Sequence, residues 1–320
     1  MFYYANKRRR NKKIILIAVI AAAVIACVVL GIVFSDTIAG WFKSAPKAPE
    51  TTQSPAVTAT PIPEPQKPIE ETGLTVLERF GVPEGFKRVS VAEGSFGAFL
   101  REYALKPYGT APLFQDGTEN TGAPTVGVLT QDLISKNQQS PDAIMWLYAE
   151  YLFEQGAYDE ISFDLYITPV FHFDYATWLT GQRIVVVKDE VTNKDKIVWT
   201  TPEDAKPEEP SMASLRAYMI YVMMHANASS LKVQLSSATT DSLTVGDVFI
   251  DGHALVIMDV CVNEETGEKR FICAEGNTPA TEMYILQNPE TESVWLSLEA
   301  DGTLVKGDKV FPADSVRRFE

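Results

Sequence analysis

Apolar positions divide the chain into three stretches of different texture. From Ile14 to Phe34 run 21 residues without a charge, the length that a hydrocarbon core about 30 Å thick demands of a helix. Residues 44–72 then carry almost no large apolar side chains. From about Gly73 the apolar residues return with the spacings of a packed domain. Ile144, Leu147, Tyr148, Tyr151 and Leu152 recur at helical intervals and predict a helix over 140–154. Met212, Leu215, Tyr218, Met219, Val222 and Met223 predict a second over 211–227, and residues 95–103 a short one. Strands are expected over 86–91, 125–129, 161–167, 183–188, 245–250, 253–262 and 269–274, the last two joined by the polar turn Asn263-Glu-Glu-Thr-Gly267. Helices ahead of a strand-rich C-terminal third predict an α+β domain.

The first stretch predicts an address. Residues 7–13 carry six positive charges and no acid, whereas only Asp36 and Lys43 follow the apolar run closely. The positive-inside rule puts residues 1–13 in the cytoplasm, a transmembrane helix at 14–34 and everything later outside. Trp41 and Phe42 suit an interfacial anchor. The apolar core is longer than that of a cleavable signal peptide, and no A-x-A site follows it before Trp41. Val24-Ile25-Ala26-Cys27 resembles a lipobox, but seven more apolar residues follow it. Under either reading the domain is tethered outside the membrane. Residues 35–73 form the linker, with seven of the 19 prolines inside 44–72. Such a stretch cannot offset its ordering entropy by burial and acts as a spacer.

Charge narrows the partners. Beyond residue 34 there are 22 basic and 42 acidic side chains, a net of −20 within a chain of net −14. Nucleic acid and anionic lipid headgroups are disfavoured, because both need clustered cations. Partner candidates are the membrane, through residues 14–34, and peptidoglycan or an envelope protein. Cys261 and Cys273 flank a predicted hairpin, either as one disulfide or as two buried thiols.

His172, His225 and His253 have no metal-type spacing, and no paired C-x-x-C, H-E-x-x-H or calcium loop occurs. No phosphate-cradling glycine motif occurs either, so neither metal nor cofactor is expected. The stretch that carries chemistry is Gly246-Asp-Val-Phe-Ile-Asp-Gly-His253-Ala-Leu-Val-Ile-Met-Asp259. It places a histidine at the head of an apolar strand, where a general base is rigidly held; the same histidine can equally do no more than finish a strand end. The opening is similar to the His-bearing strand of papain-like wall peptidases. Such a base needs a nucleophile at a helix N-terminus, where the positive dipole end lowers a thiol's pKa. Here that helix begins Gln138-Gln139-Ser140-Pro141-Asp142-Ala143. On the residues alone Ser140 reads first as an N-cap, with Pro141 first in the helix and Asp142 complementing the dipole.

Several pieces in order resemble the bacterial family called domain of unknown function 4846. They are Val82-Pro-Glu-Gly-Phe-Lys-Arg88, Gly94-Ser-Phe-Gly-Ala-Phe-Leu-Arg101, Ala149-Glu-Tyr-Leu-Phe153, Tyr158-Asp-Glu-Ile161, Asp174-Tyr-x-x-Trp178, Gly246-Asp-Val-Phe-Ile250 and Gly252-His253-Ala254. The resemblance covers most of residues 80–300. It implies a family pattern of Gln-Gln-Cys-Ala-Asp-Ala where this chain has Ser140. That order of nucleophile then histidine is similar to papain-like enzymes. It implies a papain-like domain of mixed helix and antiparallel sheet behind one N-terminal transmembrane helix. Ser140 would hold the nucleophile position, His253 the base, and Glu275 the orienting carboxylate in preference to Asp259; Asn277 is a further option. A hydroxyl cannot ionise at a helix terminus as a thiol can, so serine there predicts an inert or altered site. Asp174, Trp178 and Arg183 are candidate ligand-binding residues. Trp178 offers a stacking face and Arg183 a partner for a carboxylate, unless Asp174 and Arg183 simply hold each other. The remaining reading is an envelope-binding module without catalysis.

Overall fold

The computed structural model describes residues 69–165 and 170–320. The expected basic tail, membrane helix and nearly all of the spacer therefore lie outside the described residues, as does the end of the strand expected over 161–167. Among the described residues no helix is long and apolar enough to cross a membrane. The helices are α1 (Val76–Arg79), α2 (Phe96–Arg101), α3 (Ser140–Glu154), α4 (Tyr175–Leu179), α5 (Met212–His225) and α6 (Ala228–Gln234). The strands are β1 (Phe86–Arg88), β2 (Ser162–Leu165), β3 (Phe171–Asp174), β4 (Arg183–Lys188), β5 (Asp195–Thr200), β6 (Ser236–Ser237), β7 (Val248–Asp251), β8 (His253–Asn263), β9 (Lys269–Glu275), β10 (Tyr284–Ile285), β11 (Leu304–Lys306), β12 (Lys309–Phe311) and β13 (Val316–Arg318). The fold is α+β, and every pairing between these strands is antiparallel.

One seven-stranded sheet organises the molecule, in the order β10-β9-β8-β7-β13-β6, with β1 also pairing with β8. Strand β8 is its axis: it pairs with β7 and β1 along one side and β9 along the other. The apolar run Ala254–Met258 explains this position, because a strand covered on both faces reads as nearly continuous hydrophobics. Helix α3 packs on β8 and β9. Ile144 and Leu147 are buried as their spacing predicts, and so are Met145, Trp146 and Ala149. A helix apolar all round is a buried helix, and α3 is the central one here.

Several elements differ from expectation for physical reasons. The stretch 125–129 makes only isolated bridges, Leu129 to Leu105 and Val128 to Tyr284. The helix expected over 211–227 ends at His225, because Asn227 caps a new helix, accepting the N–H groups of Ser229 and Ser230. Cys261 and Cys273 are buried free thiols. In the β8–β9 ladder Cys261 faces Arg270 and Cys273 faces Ile257, so they are not opposed.

Asp259 is structural. Between Ile257 and Asp259 the β8–β9 register shifts, and Asp259 comes to face Ile272. That puts it on the face of Val256 and Ala274, away from the face that carries His253. There Arg88 and Arg101, the last residues of two family-like segments, donate to its two oxygens at 2.6 and 2.7 Å. The Asp259 side chain is fully buried. Removing one member of such a cluster leaves uncompensated buried charge. Asp259→Ala is therefore expected to cost about 3–5 kcal/mol in urea denaturation. A loss under ~1 kcal/mol, the scale of an exposed pair, would contradict the clamp.

Candidate active site

His253 owes its place to a tight turn. Asp251 and His253 face each other across the β7–β8 hairpin, and Gly252 between them has φ +68°, a conformation costly for a side-chain-bearing residue. Val256 stands opposite Ala274, so continuing that register sets Glu275 opposite Leu255. His253 then lies two residues along on the same face as Glu275. Tyr284 stands directly opposite Glu275 on the other side. Three neighbouring strands thus present His253, Glu275 and Tyr284 in one row. Gly276 lets this row approach α3: a Cβ there would sit 3.1 Å from that of Ala143.

Ser140 opens α3 without capping it. Gln139 takes the N-cap position, and its N–H donates to Asp142 at 2.8 Å. Asp142 thus supplies the capping expected of Ser140; burial pushes its carboxyl up to about 7. The Ser140 hydroxyl is turned instead to the sheet. Its oxygen accepts the Ala254 N–H at 3.0 Å and lies 2.9 Å from His253 Nδ1. Only 2 % of Ser140 is exposed.

On the far side of the imidazole, Nε2 lies 2.7 Å from Glu275 Oε2. The other oxygen, Oε1, accepts Tyr284 Oη at 2.7 Å and an ion pair from Lys306. Burial alone would raise this carboxyl. The His253 hydrogen bond, the charge and hydrogen bond of Lys306 and the Tyr284 hydroxyl outweigh it and hold Glu275 at about 2. An ionised carboxylate only accepts, so the imidazole proton sits on Nε2. Lys309 Nζ lies 3.2 Å from Nδ1, and an ammonium only donates. Both neighbours therefore assign Nδ1 as the acceptor, and Ser140 donates to it.

The structure thus brings Ser140, His253 and Glu275 together. Sequence reasoning missed Tyr284, Lys306 and Lys309. The hairpin that carries the two lysines was readable, as Leu304-Val-Lys-Gly-Asp-Lys-Val-Phe311 alternates about a Gly-Asp turn. Asn277 is committed elsewhere: its side-chain oxygen accepts the Thr278 N–H at 2.9 Å and its amide donates to Tyr284 Oη at 3.5 Å.

Asp174, Trp178 and Arg183 lie elsewhere and are committed within the fold. Asp174 caps α4, accepting the Thr177 N–H at 2.6 Å. Trp178 is 2 % exposed, and the Arg183 guanidinium covers its ring at 3.7 Å. Arg183 also donates to the Trp178 carbonyl at 3.0 Å and pairs with Glu208. The expected stacking face is covered, and the expected Asp174–Arg183 contact is replaced by these partners. Among the described residues no cluster of three or more His, Cys, Asp or Glu side chains is placed to hold a metal ion.

The model of the family described as Domain of unknown function (4846) matches residues 76–318. No curated protein and no solved structure matches the chain.

Acid titration reads the state of Glu275. Its folded value lies below the ordinary 4.5, so above that pH its stabilisation is complete, and it is lost as pH falls towards about 2. At about 1.4 kcal/mol per pH unit this amounts to about 3 kcal/mol. The stability difference between wild type and Glu275→Gln, from urea melts, is expected to shrink by that amount between pH 5 and pH 2. A difference independent of pH would mean that Glu275 is not held ionised.

Proposed function

The chain belongs to the family of domain of unknown function 4846, and on that premise we propose that its domain is an acyl-transfer hydrolase of amide or peptide bonds. Ser140 is the nucleophile, His253 the general base and Glu275 the group that orients the base. The observation that carries this reading is the continuous chain from Ser140 Oγ through both ring nitrogens of His253 to an ionised Glu275. As Oγ attacks the carbonyl carbon, its proton passes to Nδ1. Collapse of the tetrahedral intermediate returns that proton to the leaving amine, and water then releases the acyl group from Ser140 by the same path. Glu275 stabilises the imidazolium that forms between these steps.

Serine in place of the family pattern's cysteine changes what the site requires. A thiol is ionised by a helix terminus and a nearby imidazolium; a hydroxyl needs a base already aligned. That alignment is present, which favours an altered site over an inert one. A nucleophile at a helix start followed by a base at a strand head is similar to the papain-like order. The basic run 7–13 and apolar run 14–34 support a single-pass anchor with the domain outside the membrane. A substrate in the envelope, such as a peptidoglycan peptide, follows from that placement.

A second reading, a binding module using the same site, is favoured by the burial of Ser140 and by Lys309 lying against the base. Labelling with a fluorophosphonate separates the two. The hydrolase reading expects covalent modification of Ser140, abolished in Ser140→Ala and His253→Ala and slowed up to about 10⁴-fold in Glu275→Gln, the drop seen when a triad carboxylate is neutralised. An unlabelled wild type would sink that reading and leave the binding module. Ser140→Cys is expected to be alkylated by iodoacetamide in a His253-dependent manner; equal rates with and without His253 would mean that the ring does not activate position 140.

A further inference from the structure

The hairpin over the site carries more positive charge than the site consumes. Strands β11 and β12 are joined by Gly307-Asp308, and Lys306 and Lys309 face each other across the ladder. Like charges directly opposite in a ladder repel. Lys306 has an answer to that repulsion in Glu275. Lys309 has no such partner in contact: among the described residues it forms no ion pair, the charges of Glu275 and Asp308 act on it only at longer range, and its one side-chain hydrogen bond goes to His253 Nδ1 at 3.2 Å. With Glu275 paired to Lys306, the Lys309 ammonium is left beside the nucleophile without a carboxylate in contact. Burial and the charge of Lys306 lower the Lys309 pKa by more than the charges of Glu275 and Asp308 raise it.

The position of Lys309 also conflicts with the proposed chemistry. A neutral imidazole offers one in-plane lone pair at Nδ1, and both Ser140 Oγ, at 2.9 Å, and Lys309 Nζ, at 3.2 Å, address it. An ammonium there competes with the serine and opposes formation of an imidazolium. The base is free to work once Lys309 has an anion of its own. One excess charge suits a monoanion, and a carboxylate supplies one in a form that a single ammonium can pair with.

We infer that Lys309 is the specificity-determining residue of the site: it selects a peptide with a free carboxylate close to the scissile bond, and pairing with that carboxylate draws it off His253 Nδ1. This rests on the hydrolase reading for its catalytic meaning, but carboxylate selection can be measured without turnover. Lys306 stays on Glu275, so the orienting carboxylate is undisturbed when Lys309 moves.

The experiment is a nuclear magnetic resonance titration of the full chain carrying Ser140→Ala, with N-acetyl-alanyl-alanine and its C-terminal amide as probes. The acid is expected to bind at least about tenfold more tightly than the amide, shifting the His253 ring signals and the Lys309 side-chain resonance together. Lys309→Met should erase the preference, and Lys309→Arg should keep most of it. Equal affinity for acid and amide, binding of neither, or a preference that survives Lys309→Met would overturn the inference. Fluorophosphonate labelling in the Ser140 background keeps the two claims apart. Labelling that persists while acid preference fails leaves a hydrolase with a different selector. Acid preference without labelling leaves a carboxylate-binding module. Lys309→Met should also speed labelling by the neutral probe several-fold; slower labelling would show that the ammonium helps the base and would likewise overturn the inference.

Discussion

A carboxylate withdrawn from water costs several kcal/mol unless charges and donors meet it, and Glu275, fully buried at the end of β9, is met on every side. Lys306 neutralises it, Tyr284 donates to one oxygen, and His253 occupies the other. Each of these groups is oriented by that demand. The imidazole must turn Nε2–H to Glu275, which leaves Nδ1 as an acceptor at the head of β8. Ser140, presented by the start of a buried helix, has its oxygen held by the Ala254 N–H and its proton directed to Nδ1. The proposed chemistry is a consequence of where one buried charge had to find its partners.

The sheet supplies the precision this needs. His253, Glu275 and Tyr284 belong to three adjacent strands and share a face because ladder register fixes side-chain parity. The same rule explains Asp259. Strict alternation along β8 would put it on the face of His253, six residues away. The register shift after Ile257 turns it to the other face, where two arginines make it a structural clamp. One irregular residue in a strand thus separates a candidate catalytic face from a structural one.

Much of this arrangement was legible in the chain, and the illegible parts have identifiable causes. The apolar run after Gly252-His253 announced a central strand with a histidine at its head, because burial on both faces leaves an unmistakable pattern. The limits of α3 were readable from Ser140-Pro141-Asp142 and the apolar spacing that follows. The placement of Ser140 was not, since a cap and a hydroxyl turned to a histidine use the same residue at the same place; only the three-dimensional partners, Asp142 for the cap and His253 for the hydroxyl, distinguish them. Trp178 read as an available ring because nothing in sequence shows that Arg183 lies on its face. Lys306 and Lys309 passed unnoticed because a lysine near a hairpin turn is ordinarily solvated, and their contacts span 31 and 56 residues.

The claim on which everything else rests is the tautomer of His253. Selective ¹⁵N labelling of histidine, with spectra recorded near neutral pH, reads it directly from the two ring nitrogens. The account predicts a protonated Nε2 hydrogen-bonded to Glu275 and an unprotonated Nδ1, with the Nε2 proton signal moving on Glu275→Gln substitution. A ring protonated on Nδ1 alone would leave Ser140 without a base and would contradict the account.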